Sequence, residues 1–330
     1  MVAGTNTTYS GIVDEVGSAV SKVKKGDRVV ASFQIACGDC RYCAKKLSSQ
    51  CEKTNSNTIE NAMYGGRTAG MFGYSHFTGG FAGGQAEYTR VPYGDVNLLK
   101  LPDDVPDEKG LFLSDVVSTS WNCVVDTGVK EGDVVAIWGA GPIGQMCADF
   151  SFINGASRVI LIDQNWRLDY VKEKYPKVET VDFTQLKGAK AVVAKLKEMC
   201  DGVGPDVALE CVAGEYPKTW LHTIELATGL ETDTSEILNE CIESVKNYGR
   251  VGITGVYVGY TNHFNIGKSS AHRVVCQEQE LTCQRLPHGT RYPLHRQRSS
   301  ARPSLLGGPP QEDPEWRDRP AEDGDAPCQG

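Results

Sequence analysis

Nowhere does this chain carry an apolar run long enough to cross a bilayer, so a membrane-embedded protein is not expected. Its opening, Met1-Val2-Ala3-Gly4-Thr5-Asn6-Thr7-Thr8, lacks the basic cluster and apolar core of a secretory signal, which points to the cytoplasm. Positive charge is in deficit: 34 lysines and arginines face 42 acids, and a net charge of −8 argues against a general nucleic-acid surface. Cysteine is not lacking. Twelve of them without a secretory signal suggest metal ligands or buried thiols in a reducing compartment rather than disulfides. At 330 residues two domains are expected, and 40% apolar with 23% charged residues is the composition of an ordinary soluble globular chain.

The most informative stretch runs from Val134 to Phe150. The apolar, β-branched segment Val134-Val135-Ala136-Ile137-Trp138 leads into Gly139-Ala140-Gly141-Pro142-Ile143-Gly144 and then into a helix-like segment. Strand, G-x-G-x-x-G and helix in that order form a dinucleotide-binding turn. Gly139 permits the tight turn, Gly141 lets the backbone approach a pyrophosphate, and Gly144 lets the helix pack against the strand. The helix that starts at Pro142, which itself has no N–H, then presents the backbone N–H groups from Ile143 onward to phosphate. A second strand, Arg158–Asp163, ends in an acid 19 residues beyond Gly144 (163 − 144). An acid roughly 20 residues on hydrogen-bonds a ribose 2′-hydroxyl, so Asp163 favours NAD over NADP, and Arg167 could soften that preference. The alternative is a glycine-rich turn in some other α/β protein.

Earlier in the chain, Cys37, Cys40, Cys43 and Cys51 follow the spacing C-x2-C-x2-C-x7-C. Four thiolates this close can surround one tetrahedral Zn²⁺ and leave no position for water, which makes the site structural. An iron–sulfur site or disulfides are the rival readings, and the β-rich surroundings favour zinc. Short β-type runs and glycine turns over residues 10–33 suggest part of a small β-barrel. Residues 61–93 are glycine- and aromatic-rich and read as a loop bordering a cleft or, alternatively, as an irregular connection before a strand at Gln85–Val91, with His76 as a loop residue rather than a ligand. A short strand at 95–102, a helix start at Pro106–Gly110 and a helix over Phe112–Trp121 follow.

Beyond Asp163 helices and strands alternate. Helices are expected at Trp166–Tyr175, Ala189–Met199 and Ser235–Tyr248, and strands at Glu179–Phe183, Asp206–Val212 and Gly249–Gly255. That alternation implies a doubly wound parallel sheet. Cys123, Cys147, Cys200, Cys211 and Cys241 read as buried apolar thiols, with Cys123 isolated from any ligand cluster. After residue 267 the character changes. Residues 268–330 hold eight of the fifteen prolines and a single lysine beside eight arginines; these nine basic residues balance nine acids. Such a composition is expected to be disordered. The switch in lysine and arginine usage points to a change of reading frame or a misplaced exon boundary, with a linker or interaction tail as the alternative. Val274–Leu286 offers one poor strand at most.

Together, the cysteine run, Gly70–Tyr88, Leu113-Ser114-Asp115-Val116, Gly139–Gly144 and Glu210–Gly214 resemble the zinc-dependent medium-chain alcohol dehydrogenase family, in its glutathione-independent formaldehyde dehydrogenase-like branch. The resemblance covers roughly residues 9–267. It implies an α/β fold with an incomplete GroES-like β-barrel over 1–113, carrying the structural zinc lobe, and a Rossmann NAD-binding domain over 114–267. The off-pattern tail is 268–330. It also implies hydride transfer from a short alcohol or hydrated aldehyde to NAD at a catalytic zinc, and possible homo-oligomers, weakened by the altered carboxyl end. The family's first zinc cysteine has no match here, and Asn6-Thr7-Thr8 stand where the family has Gly-His-Glu. Only Asp115 matches a catalytic-zinc ligand, with a helix cap or polar cleft residue as its bland alternative. The expectation is an enzyme by lineage with an incomplete catalytic site and impaired turnover; the alternative is a non-catalytic NAD- and zinc-binding fragment or partner-binding module.

Overall fold

Alternate residues of Val134–Trp138 divide between two cores, and that division orients the larger part of the molecule. Val135 and Ile137 enter one core, Ala136 and Trp138 the other. A strand buried on both faces belongs in a parallel sheet covered by helices. The fold is that of a computed structural model describing residues 8–188, 190–212, 235–255, 257 and 273–276.

In chain order the strands are β1 (Ser10–Ile12), β2 (Arg28–Ala31), β3 (Gln34–Ile35), β4 (Gly70–Met71), β5 (Leu98–Lys100), β6 (Val134–Trp138), β7 (Arg158–Asp163), β8 (Glu179–Asp182), β9 (Val207–Glu210), β10 (Arg250–Ile253) and β11 (Arg273–Cys276). The helices are α1 (Arg41–Ala44), α2 (Thr58–Tyr64), α3 (Gly94–Asn97), α4 (Asp107–Gly110), α5 (Val116–Thr127), α6 (Pro142–Ile153), α7 (Asn165–Lys174), α8 (Ala191–Met199) and α9 (Glu236–Ser244).

The first part forms small antiparallel sheets, β1-β2-β5 and β3-β4, with Val30 opposite both Ser10 and Leu99. The second part is one six-stranded sheet in the order β11-β10-β9-β6-β7-β8, parallel at every pairing. Strand order reverses between β6 and β9. In open α/β sheets the crevice at the carboxyl ends of such a pair is where ligands bind. One core contains side chains of α8 and α9; the other contains side chains of α5, α6 and α7. Trp138 donates its indole N–H to Glu240 at 3.0 Å, joining α9 to the central strand through a buried polar contact.

Several boundaries differ from the sequence reading. Gln85–Val91 is not a strand: it pairs with no described strand, and Gln85–Tyr88 are exposed. The 95–102 strand is shortened to β5 because α3 takes up the preceding residues. The helix expected from Phe112 begins at Val116, after a 3₁₀ turn over Leu111–Leu113. The helix expected to reach Tyr248 ends at Ser244, where Val245 turns extended at φ −66°, ψ 148°. Conversely, α2 arises in the stretch read as loop. Asn57 caps it by accepting from the amides of Ile59 and Glu60, and Gly65 closes it in a left-handed conformation. The sixth strand is present as β11, beside β10 at the sheet edge. Ala213, Gly214, Asn6, Thr7, the residues after Cys276 and the tail's expected disorder lie outside the described residues.

Asp206 pins the start of the central strand. Its carboxylate accepts from the amide of Val134 at 2.9 Å and pairs with Lys246. Burial opposes its ionisation, but Lys246 and that amide outweigh it and hold the carboxyl below the usual range. A depressed carboxylate stabilises the fold above its unfolded pKa, and the contribution is lost as pH falls through the folded value. Asp206→Asn should therefore cost about 1 kcal/mol at pH 7. Urea unfolding as a function of pH should show the gap between wild type and variant closing below about pH 4.

Candidate functional site

The turn after β6 is built at the reversal point. Gly139 has φ +98°, and a β-carbon there would lie 2.8 Å from the carbonyl oxygen of Cys211, at the end of β9. Gly144, in the first turn of α6, comes closer still: a β-carbon would sit 1.8 Å from the Gly139 carbonyl oxygen. No side chain is compatible with that approach. Gly141 differs, with nothing within 4 Å of its β-carbon position, so a phosphate could reach its backbone. Gly141 caps α6 and Pro142 opens it, so the first-turn amides of the helix have no helical acceptors. Ile143 packs inward on the second core, and its carbonyl accepts from the Ser120 hydroxyl at 3.1 Å.

Asp163 stands at the end of β7, only 5% exposed. One carboxylate oxygen accepts from the amide of Ala140 inside the glycine turn at 2.7 Å, the other from Gln164 at 2.7 Å. Arg167, one helical turn on, approaches both oxygens at 3.4 Å. The acid expected to meet a ribose thus also fastens the turn, and Arg167 lies beside it. The sequence does not reveal the fastening of the turn, because Ala140 becomes the neighbour of Asp163 only when β6 and β7 align.

The cysteine run forms a compact centre. The sulfurs of Cys37 and Cys43 are 3.9 Å apart, those of Cys40 and Cys51 4.0 Å, and all four lie within 4.8 Å of one another. Disulfide sulfurs would be about 2 Å apart. A tetrahedron with metal–sulfur bonds of about 2.3 Å has corners about 3.8 Å apart, so this set fits one ion. A multi-iron cluster would divide the thiolates among its irons and spread the set further. Amides assist: Cys37 N–H donates to the Cys51 sulfur and Cys40 N–H to the Cys37 sulfur, each at 3.3 Å. Buried Asn97 braces the approach, exchanging two 2.9 Å hydrogen bonds with the backbone of Ala36. Burial pushes the Cys37 and Cys43 thiols up. At Cys40 burial acts the same way, but the amides of Cys43 and Glu52 prevail and bring it to about 6. Crowded thiols that cannot all ionise alone are what a divalent cation resolves.

Asp115 precedes α5, but its side chain does not cap the helix. Its carboxylate accepts from the Thr119 hydroxyl at 2.9 Å. Among the described residues it belongs to no group of three metal-ligating side chains. The reading of Cys123 as isolated is corrected: its sulfur converges with those of Cys147 and Cys211, all within 4.8 Å of one another. Burial pushes Cys147 well up. Contact with Cys147 pulls Cys123 down, but Cys211, burial and the Glu210 carboxylate outweigh it.

Residues 4–103 match the alcohol dehydrogenase GroES-like domain. With the glycine turn and parallel sheet that follow, the chain has the two-part architecture of a GroES-like and Rossmann dehydrogenase. Over 275 residues it is 38% identical to a zinc-type alcohol dehydrogenase-like protein of Schizosaccharomyces pombe, covering 83% of this chain and 64% of that one. A glutathione-independent formaldehyde dehydrogenase of Pseudomonas aeruginosa is 31% identical over 273 residues, 78% of this chain and 63% of the relative. Among solved structures, alcohol dehydrogenase TADH from Thermus sp. ATN1 superposes with a TM-score of 0.64 at 28% identity, covering 82% of this chain and 67% of that one. Residues 4–103 thus carry the alcohol dehydrogenase GroES-like domain, and the longer matched stretch is similar to zinc-type alcohol dehydrogenase-like proteins. The chain spans less than two thirds of the length of these two curated relatives.

Because Asp163 fastens the turn, Asp163→Ala should lower stability by about 1–3 kcal/mol even without ligand. Hydrogen exchange should accelerate first at the Ala140 amide; unchanged protection there would show that the turn holds itself.

Proposed function

We propose that this chain binds NAD at the turn Gly139–Gly144 and one structural Zn²⁺ at Cys37, Cys40, Cys43 and Cys51, and that its reaction class is oxidation of a short alcohol or hydrated aldehyde. The observation that carries the reading is the open backbone at Gly141 beside the carboxylate of Asp163, at the sheet's reversal point. A nicotinamide dinucleotide, when bound, supplies the hydride acceptor. The chain's own part is to offer the first amides of α6 to pyrophosphate and Asp163 to a ribose hydroxyl. Arg167 neutralises part of that carboxylate and reduces the discrimination against NADP without reversing it. The four thiolates fold the lobe around their ion and keep substrate away from it.

The residues present do not fit a catalytic zinc. Such sites take three protein ligands, whereas here Asp115 is bonded to Thr119, and Thr7 and Thr8 stand where the family has His and Glu. No catalytic step through a metal follows from this chain, and the reading includes low turnover. A cytoplasmic location and pairing of copies along the sheet edge belong to the same proposal; among the described residues no helix is long and apolar enough to cross a membrane. The second reading, a zinc-stabilised NAD-binding module without turnover, draws on the same Asp115 contact.

Metal analysis of the purified chain should find about one zinc, lost when two of the four cysteines become serine. Iron with visible absorbance would contradict the assignment. Calorimetry should show NAD binding more tightly than NADP, with Asp163→Ala weakening NAD by roughly 1–3 kcal/mol; equal affinities in the unmutated protein would refute the role of Asp163. NADH production from short alcohols and hydrated formaldehyde should fall orders of magnitude below ordinary enzymes, since each 1.36 kcal/mol of lost electrophilic stabilisation is about tenfold in rate. Ordinary turnover with a second zinc per chain would show a ligand set completed around Asp115.

A further inference from the structure

Cys123 on α5, Cys147 on α6 and Cys211 at the end of β9 come from three elements that meet behind the glycine turn. The sulfurs of Cys147 and Cys211 are 3.9 Å apart, and all three sulfurs lie within 4.8 Å of one another. The Cys211 carbonyl is the atom against which Gly139 packs. Cys123 and Cys147 are fully buried, while Cys211 is partly exposed. We propose that these three thiols form a second, separate site for a thiophilic centre that leaves them neutral, with trivalent arsenic as the fitting case.

Charge decides the ligand class. Glu210, next to Cys211 and fully buried, holds its carboxylate by accepting from the amides of Val212 at 2.7 Å and Gly255 at 2.9 Å. The Cys147 thiol donates to the Ser120 carbonyl at 3.7 Å. Further negative charge in such surroundings is costly. Zn²⁺ on three thiolates would leave one negative charge, and Cu⁺ would leave two. Arsenous acid leaves none. Three S–H and three As–O bonds break, three As–S bonds form, and three waters depart with the thiol protons. No electron changes hands. The sulfurs need only draw slightly together, and the product ties α5, α6 and β9 to one atom.

The test adds sodium arsenite to the zinc-loaded full chain. Intact-mass measurement should show a gain of one arsenic less three hydrogens with the zinc retained, and arsenic K-edge spectra should show three sulfur neighbours. The melting temperature should rise with arsenite concentration. Cys147→Ala and Cys211→Ser should each weaken arsenite binding by about a hundredfold or more, because the last bond is intramolecular. Cys200→Ala and Cys241→Ala, in the opposite core, should bind as the wild type does. If Cys147→Ala fails to fold, the partly exposed Cys211 variant and the wild-type measurements still decide. Release of zinc in step with arsenic uptake would assign the arsenic to the four-cysteine centre and overturn the proposal. So would uptake unchanged by both variants, or Cd²⁺ binding at the three thiols as tightly as arsenite.

Discussion

One carbonyl oxygen and one missing side chain hold the centre of this protein. Gly144 stacks against the Gly139 carbonyl so closely that even a methyl group would overlap it. That approach brings α6 onto β6, and with it the amide-rich helix start to the carboxyl end of the sheet. Asp163 then reaches across from β7 to the Ala140 amide, so two neighbouring strands share responsibility for one turn. On the other side, β9 supplies the Cys211 carbonyl that Gly139 must clear. The strand reversal and the turn are therefore a single construction, flanked by the two helix-covered faces of the sheet.

The part of this arrangement carried by local pattern was legible in the sequence. Glycines at Gly139, Gly141 and Gly144, an apolar strand before them and Asp163 after them each signal a backbone requirement over a short span. The four-cysteine centre was equally legible, because all its ligands fall between Cys37 and Cys51 and the spacing itself constrains the geometry. The parallel character of the sheet followed from helix–strand alternation, whereas its strand order did not.

What was missed depends on distance along the chain or on weak local signals. Gln85–Val91 has strand-like residues, but a strand exists only through a partner, and no described strand pairs with it. The helix α2 escaped because its signal is a cap at Asn57 and a stop at Gly65 rather than an apolar stripe. Buried Glu60 holds that segment from inside, accepting from Asn55 and from both the amide and hydroxyl of Thr68. Nothing in one dimension links these residues. The same applies to Cys147 and Cys211, 64 positions apart and neighbours only because α6 and β9 flank one turn.

The two cysteine groups show how surroundings, rather than residue type, set what a thiol cluster can do. Around Cys37–Cys51 backbone amides point at sulfur, and the ion pair of Lys53 with Asp39 stands nearby at the surface, so anionic sulfur is supported. A divalent ion there allows Cys37 and Cys43, whose thiols burial pushes up, to ionise beside Cys40. Behind the glycine turn the direction reverses: the Cys147 thiol gives its hydrogen to a carbonyl, and a buried carboxylate stands beside Cys211. Thiolate formation at that position would add charge to charge in a region with little solvent to screen it. Equal sulfur chemistry in one chain therefore divides into an ionic centre near the surface and a neutral one in the core.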